Sequence, residues 1–235
     1  MVTRALLPEV LPLEVWDFPV NGLPLQAYRH ERSFSEALSQ VIRSLQPRHG
    51  FTSVFVCGGG ASTRLARELG PRVWCAADPV FGASRAGASW MGGTCADLGK
   101  TSLKLARSDG TVLRIERPLD RLPILNGRSS QKARAEAVRF LKEGLRAVHQ
   151  PGTPLLLGLP CIVDPDCRLF GGTYGWEDGD GEFVQTLARQ LEAPSMQVIN
   201  DAELAALAAA QHPDLTLPAL VLTIGFGVGA SVLRG

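Results

Sequence analysis

The feature that most constrains this chain is a tight turn between two extended runs, Ala96-Asp97-Leu98-Gly99-Lys100-Thr101-Ser102-Leu103-Lys104-Leu105-Ala106. Apolar alternation on either side of Asp-x-Gly predicts a strand, a turn and a second strand carrying Lys104. Residues 111–116 add a third strand after the Asp109-Gly110 turn. Beyond it, 131–149 has an amphipathic helical pattern, 154–159 is a short apolar strand, and 160–180 is a long loop rich in Gly, Asp and aromatic residues. A helix at 181–191, a strand at 197–199 and an Ala-rich helix at 201–211 follow. Three strands, then helix alternating with strand, is a mixed α/β order.

The residues before the turn are structured too. Residues 1–28 are Pro-rich with short apolar alternation and predict edge strands with loops. Phe34, Ala37, Leu38, Val41, Ile42 and Leu45 share one helical face, with Ser33 and Glu36 placed for a capping box. A buried strand at 53–57, a helix at 61–69, a strand at 73–76 and a helix of small residues at 81–90 come next. The chain closes on strands at 219–224 and 229–233.

A net charge of +1 on 235 residues gives nucleic acid no electrostatic footprint. The apolar runs are too short to span a bilayer, and residues 1–4 lack the pattern of a secretion signal. The five cysteines form no Cys-x-x-Cys pair, and Cys161 with Cys167 lacks two further zinc ligands, so a reducing cytoplasm is the expected location.

Four segments carry residue types suited to phosphate chemistry. In the 97–102 turn, backbone N–H groups and the Thr101 and Ser102 hydroxyls can cradle a phosphate, and Asp97 can hold a water of Mg²⁺. Asp and Gly are equally common in plain hairpins. The run Val198-Ile199-Asn200-Asp201-Ala202 ends a strand at the first turn of a helix, where Asn and Asp are good caps. An Asp at a strand's carboxyl end also faces the ligand crevice of an open α/β sheet, where it can take the proton of a hydroxyl being phosphorylated. Gly225, Gly227 and Gly229 have a GxGxG spacing followed by a strand rather than a helix, which argues against a dinucleotide fingerprint. They make either a plain hairpin or one whose N–H groups approach a second phosphate. Gly58, Gly59 and Gly60 let the backbone approach a flat ring or a phosphate.

Together these segments resemble the actin-like ATPase and sugar-kinase superfamily, and within it the ROK family of sugar kinases and repressors. Gly158-Leu159-Pro160-Cys161-Ile162-Val163-Asp164 is similar to that family's G-x-P-G-x-V-D, with Cys161 in place of a glycine. Tyr174-Gly175-Trp176-Glu177-Asp178 resembles its GW-x-D, and Asn200-Asp201-Ala202 its NDA. The resemblance implies an α/β fold of two ribonuclease-H-like (actin-like ATPase) lobes around a nucleotide cleft. The family's order is phosphate-1 turn, NDA, phosphate-2 turn, glycine turn and a closing helix of small residues. Here the glycine turn and that helix come first, and joining Gly235 to Met1 restores the order. The chain thus resembles a circular permutant, with a phosphate-1/catalytic lobe of 92–211 and a phosphate-2/adenosine lobe of 1–91 plus 212–235.

The resemblance implies ATP-dependent phosphotransfer to a hydroxyl of a sugar or similar small molecule, with ATP and Mg²⁺ as cofactors. It makes Asp201 and Asp97 the catalytic carboxylates, with Mg²⁺ held by Asp97 through water. It places Gly99, Lys100, Thr101, Lys104, Gly225, Gly227, Gly229, Gly58, Gly59 and Gly60 at the nucleotide, and Asn200, Pro160, Trp176 and Asp178 at the acceptor. A carbohydrate-like partner is implied, without nucleic acid or membrane, and a homodimer is compatible with it. Two features depart from the family. Lys100 stands where it has glycine, and the sugar-gripping ExGH segment and Cys-rich zinc loop are missing, leaving His30 and Glu31 as nearby polar candidates. A nucleotide-binding regulatory module without transfer is therefore an alternative. Another is a relative of type III pantothenate kinases, suggested by Asp97-Leu98-Gly99-Lys100-Thr101 and opposed by the NDA and Gly-Trp segments. No helix-turn-helix pattern precedes the kinase-like part, which argues against the repressor branch.

Overall fold

The computed structural model describes the chain apart from Leu6, Pro8, Glu14, Trp16, His30, residues 118–129, Thr173, residues 177–181 and the Ser130 side chain. It divides into two units: Met1–Leu6 with Ser84–Leu204, and Leu7–Ala83 with Ala205–Gly235.

In chain order, β1 (Val2–Arg4) belongs to the first unit and β2 (Val10–Leu13) to the second. A small hairpin of β3 (Pro19–Val20) and β4 (Leu23–Pro24) turns through Asn21 and Gly22 at positive φ and leads into a 3₁₀ turn, Leu25–Tyr28. Helix α1 (Phe34–His49) buries Phe34, Ala37, Leu38, Val41 and Leu45, the apolar stripe of its sequence pattern. The expected Ser33–Glu36 capping box does not form. Ser33 has φ −80° and ψ 5° rather than the extended backbone of a capping residue, and its side chain makes no cap bond. Gly50, at φ 66°, closes the helix in the left-handed conformation that glycine adopts without strain.

Strand β5 (Ser53–Cys57) is buried throughout. Helix α2 (Thr63–Leu69) starts later than the pattern suggested, because the Ser62 hydroxyl accepts the Leu65 N–H at 3.1 Å and fixes the cap there. Next come β6 (Val73–Cys75) and α3 (Gly82–Met91). At Gly87 a Cβ would lie 2.7 Å from Cys95 Sγ and 2.8 Å from Leu204 Cδ1, so this glycine permits close packing.

The antiparallel run β7 (Thr94–Leu98), β8 (Ser102–Arg107) and β9 (Val112–Glu116) is followed by α4 (Ser130–Val148) and β10 (Leu155–Leu159). The 160–180 segment, expected as a loop, contains a short hairpin of β11 (Ile162–Val163) and β12 (Leu169–Phe170). Helix α5 (Glu182–Gln190), β13 (Met196–Asn200), α6 (Asp201–Ala209), β14 (Ala219–Ile224) and β15 (Val228–Leu233) complete the chain.

The first unit's sheet has the order β1-β13-β10-β7-β8-β9, and the second unit's the order β2-β15-β14-β5-β6. With β1 set aside, the two sheets share one plan. Each has a three-stranded antiparallel meander whose first strand, β7 or β14, is flanked on its other side by two parallel strands. In the second unit the third meander strand is β2, from the other end of the sequence. It lies antiparallel to β15, and the Arg234 N–H reaches the Glu9 carbonyl at 2.7 Å.

Strand alternation covers both faces of the second sheet: Val54 and Val56 pack with Leu38 and Val41 of α1, while Phe55 and Cys57 pack with Ala205 and Ala209 of α6. In the first unit, Leu98, Leu103 and Leu105 meet Leu141 and Leu145 of α4. The fold is mixed α/β, and among the described residues no helix is long and apolar enough to cross a membrane.

Candidate functional site

The β7–β8 register sets Asp97 opposite Lys104, and Lys104 Nζ donates to Asp97 Oδ2 at 2.6 Å. Both side chains are largely buried, 12% and 14% exposed, so the attraction is little screened by water. Between them the turn is closed by the Gly99 N–H, which donates to the Ser102 carbonyl at 2.9 Å; a Cβ on Gly99 would crowd that oxygen at 3.0 Å. Lys100 is half-buried on this turn, and burial holds its ammonium pKa below the usual lysine value. The Thr101 carbonyl accepts the Arg117 N–H at 2.8 Å. The Tyr174 hydroxyl donates to the Gly99 carbonyl at 3.0 Å and accepts from Arg117 Nη1 at 3.2 Å.

Asp201 opens α6 where β13 ends. The Asn200 side chain caps the helix, its Oδ1 accepting the Ala202 N–H at 2.9 Å, while its Nδ2 donates to the Cys161 carbonyl at 2.8 Å. Three residues on, Glu203 accepts the Asn200 N–H at 3.2 Å, which completes a capping box. Glu203 is 3% exposed and pairs with Arg4 of β1 at 3.1 Å. Burial raises the Asp201 carboxyl pKa to about 7, with Asp97 adding repulsion and Lys104 opposing it. Burial and the nearby Asp201 also push the Cys161 thiol well up, so it stays protonated.

The other residues expected at an acceptor are placed differently from one another. Trp176, expected at the acceptor, lies in the first unit's core at 3% exposure and stacks on Phe183 at 5.3 Å. Pro160 is half-buried, and its carbonyl lies against Gly172, where a Cβ would collide with it. Asp178, like His30, lies outside the described residues.

In the second unit, the Gly58 N–H donates to the Pro79 carbonyl at 2.6 Å and the Gly60 N–H to the Ile224 carbonyl at 2.7 Å. Gly58, at φ 92°, brings its backbone so close to β14 that a Cβ would lie 2.6 Å from the Ile224 oxygen. A Cβ on Gly60 would collide with the Arg29 guanidinium. These two glycines thus meet packing demands of their own, whereas nothing lies within 4 Å of a Cβ on Gly59. At the β14–β15 turn the Gly225 N–H donates to the Gly227 carbonyl at 2.8 Å, and Gly229 pairs with Thr223. The Gly225 carbonyl accepts from Arg29 Nε at 3.0 Å and from Nη2 at 2.6 Å. Arg29 lies over the Phe34 ring at 5.0 Å, and burial lowers its pKa.

Sequence reasoning missed Arg4, Arg29, Arg117, Tyr174 and Glu203. The Asn200-x-x-Glu203 spacing was a readable capping signal; the others act across long sequence separations. Comparison with protein-family models, with curated proteins and with solved structures found no match.

Proposed function

We propose that this chain is an ATP-dependent phosphotransferase acting on a hydroxyl of a sugar or similar small molecule, built from two circularly permuted ribonuclease-H-like lobes. The observation that carries the reading is the grouping, within one unit, of Asp201 with a pKa near 7 and the Asp97–Lys104 pair beside a glycine turn. A carboxylate poised near neutral pH is suited to take the proton of an attacking hydroxyl, since it is both basic enough and available in the deprotonated form. The shared strand plan of the two sheets supports the fold reading, and β2 beside β15 supports the permutation.

The residues fit the phosphate end of ATP. The turn at Gly99 and Thr101 offers a compact backbone cradle, with Lys100 and Lys104 supplying positive charge. Mg²⁺ bound with ATP offsets charge on the phosphoryl oxygens. Asp97, whose Oδ2 is engaged by Lys104, is suited to hold a water of that ion.

A second reading, nucleotide binding without transfer, is favoured by the acceptor side. Asn200 engages both ends of its side chain within the protein, and Trp176 is buried. Incubation of the purified protein with MgATP and a carbohydrate panel separates the two. The first reading expects phosphorylated product and a loss of roughly 10²–10⁴ in rate for Asp201→Asn. ATP binding with no product from any acceptor selects the second, and absence of ATP binding removes both.

A further inference from the structure

We infer that Tyr174 and Arg29 are positioning residues, each fixing the direction of a phosphate-facing turn in its own unit by clamping a glycine carbonyl. The inference rests on the nucleotide reading above.

The two turns are built alike. In each, the first glycine spends its N–H inside the loop, Gly99 on the Ser102 carbonyl and Gly225 on the Gly227 carbonyl. In each, that glycine's carbonyl accepts from a side chain of a distant segment: the Tyr174 hydroxyl at 3.0 Å, or Arg29 Nε and Nη2 at 3.0 and 2.6 Å. The C=O and N–H of a trans peptide point to opposite sides. Holding the carbonyl therefore sets the direction of the next amide, that of Lys100 in one turn and Phe226 in the other. Turns that bind phosphate act through the aim of such amides.

The clamps are themselves immobilised. Tyr174 is 1% exposed, and its hydroxyl is backed by Arg117, whose guanidinium lies 4.6 Å above the Phe140 ring. Its turn is pinned by the Gly171–Trp176 bridge and by the tight approach of Gly172 to the Pro160 carbonyl. Arg29 is wedged between Gly60 and the Phe34 ring. If these side chains only satisfied buried carbonyls, removing them would alter stability and would not discriminate between the phosphate and nucleoside parts of a ligand.

The test is calorimetric binding of MgATP and of adenosine to wild type, Tyr174→Phe and Arg29→Gln. Loss of one net hydrogen bond from an aligned turn should weaken MgATP about 5- to 10-fold in each variant, with adenosine unchanged. Folded variants that bind MgATP as wild type does, or that lose MgATP and adenosine by the same factor, overturn the inference and leave the nucleotide reading standing. A variant that fails to fold is replaced by hydrogen exchange on wild type. Tripolyphosphate should then protect the Lys100 and Phe226 amides, and unchanged exchange at both overturns the inference. Wild-type protein that binds neither MgATP nor tripolyphosphate removes the nucleotide reading, and the inference with it.

Discussion

The β7–β8 and β14–β15 hairpins occupy the same place in their respective sheets, and only one of them is charged. Counted back from the turn, Leu98 opposite Leu103 corresponds to Ile224 opposite Val228, and Asp97 opposite Lys104 corresponds to Thr223 opposite Gly229. Both turns close on a glycine N–H and offer a clamped glycine carbonyl. The shape of the turn is thus a backbone property that two different sequences reach. At the matching cross-strand position one hairpin carries the ion pair of Asp97 and Lys104, where the other has the neutral Thr223 and Gly229.

The largest test of that contrast removes the charge. Asp97→Asn breaks a largely buried ion pair and should cost about 3 kcal/mol in urea denaturation. Thr223→Val, at the matching position, should stay within about 1 kcal/mol. Equal losses would mean that the charge is incidental to the hairpin.

A second effect, of comparable size, is expected from pH. Asp201 titrates near 7 in the folded chain against a usual value near 3.8, so the native state binds this proton more tightly than the unfolded state. Its contribution to stability is therefore greatest below about pH 4, falls as pH rises toward 7, and is level above that. Asp201→Asn should lack this slope and be more stable than wild type at pH 8. Parallel curves for the two proteins would place the proton elsewhere. If the chain transfers phosphate as proposed, the same titration predicts a rate that rises with pH and levels above about 7, a limb lost in the variant.

The smallest effect separates the two glycines. Gly99→Ala brings a Cβ to 3.0 Å from the Ser102 carbonyl and should cost about 1–2 kcal/mol. For Gly225→Ala the nearest atom is the Gly227 oxygen at 4.0 Å, so the change should stay within about 0.5 kcal/mol. Thermal melts of both variants measure the difference.

The strands and helices were legible wherever apolar spacing carried them, as in α1, where Phe34 to Leu45 form one stripe. Caps were less legible, because a cap depends on one residue's backbone angles. Ser33-x-x-Glu36 had the right letters with the wrong φ and ψ, whereas Asn200-x-x-Glu203 formed the box. The Asp97–Lys104 pair follows from hairpin register and could have been derived from the length of the turn. Arg29 on Gly225 and Arg4 on Glu203 had no local signal, since each joins segments nearly two hundred positions apart. The buried state of Trp176 was equally hidden, because its partners Tyr174 and Phe183 read as a polar, glycine-rich loop and an unconnected helix.

The position of β2 and β5 has a consequence for synthesis. Five of the six strands in the first sheet come from one continuous stretch, 94–200, so that sheet can close while the chain is still emerging from a ribosome. In the second sheet, β2 and β5 are made well before their neighbours β15 and β14. The apolar run Val54-Phe55-Val56 can pair early with β6 on one side, but its other edge stays open until β14 is made, a state open to mispairing with other chains. Production of this protein should depend on how fast the closing hairpin arrives and on what shelters those three residues until it does.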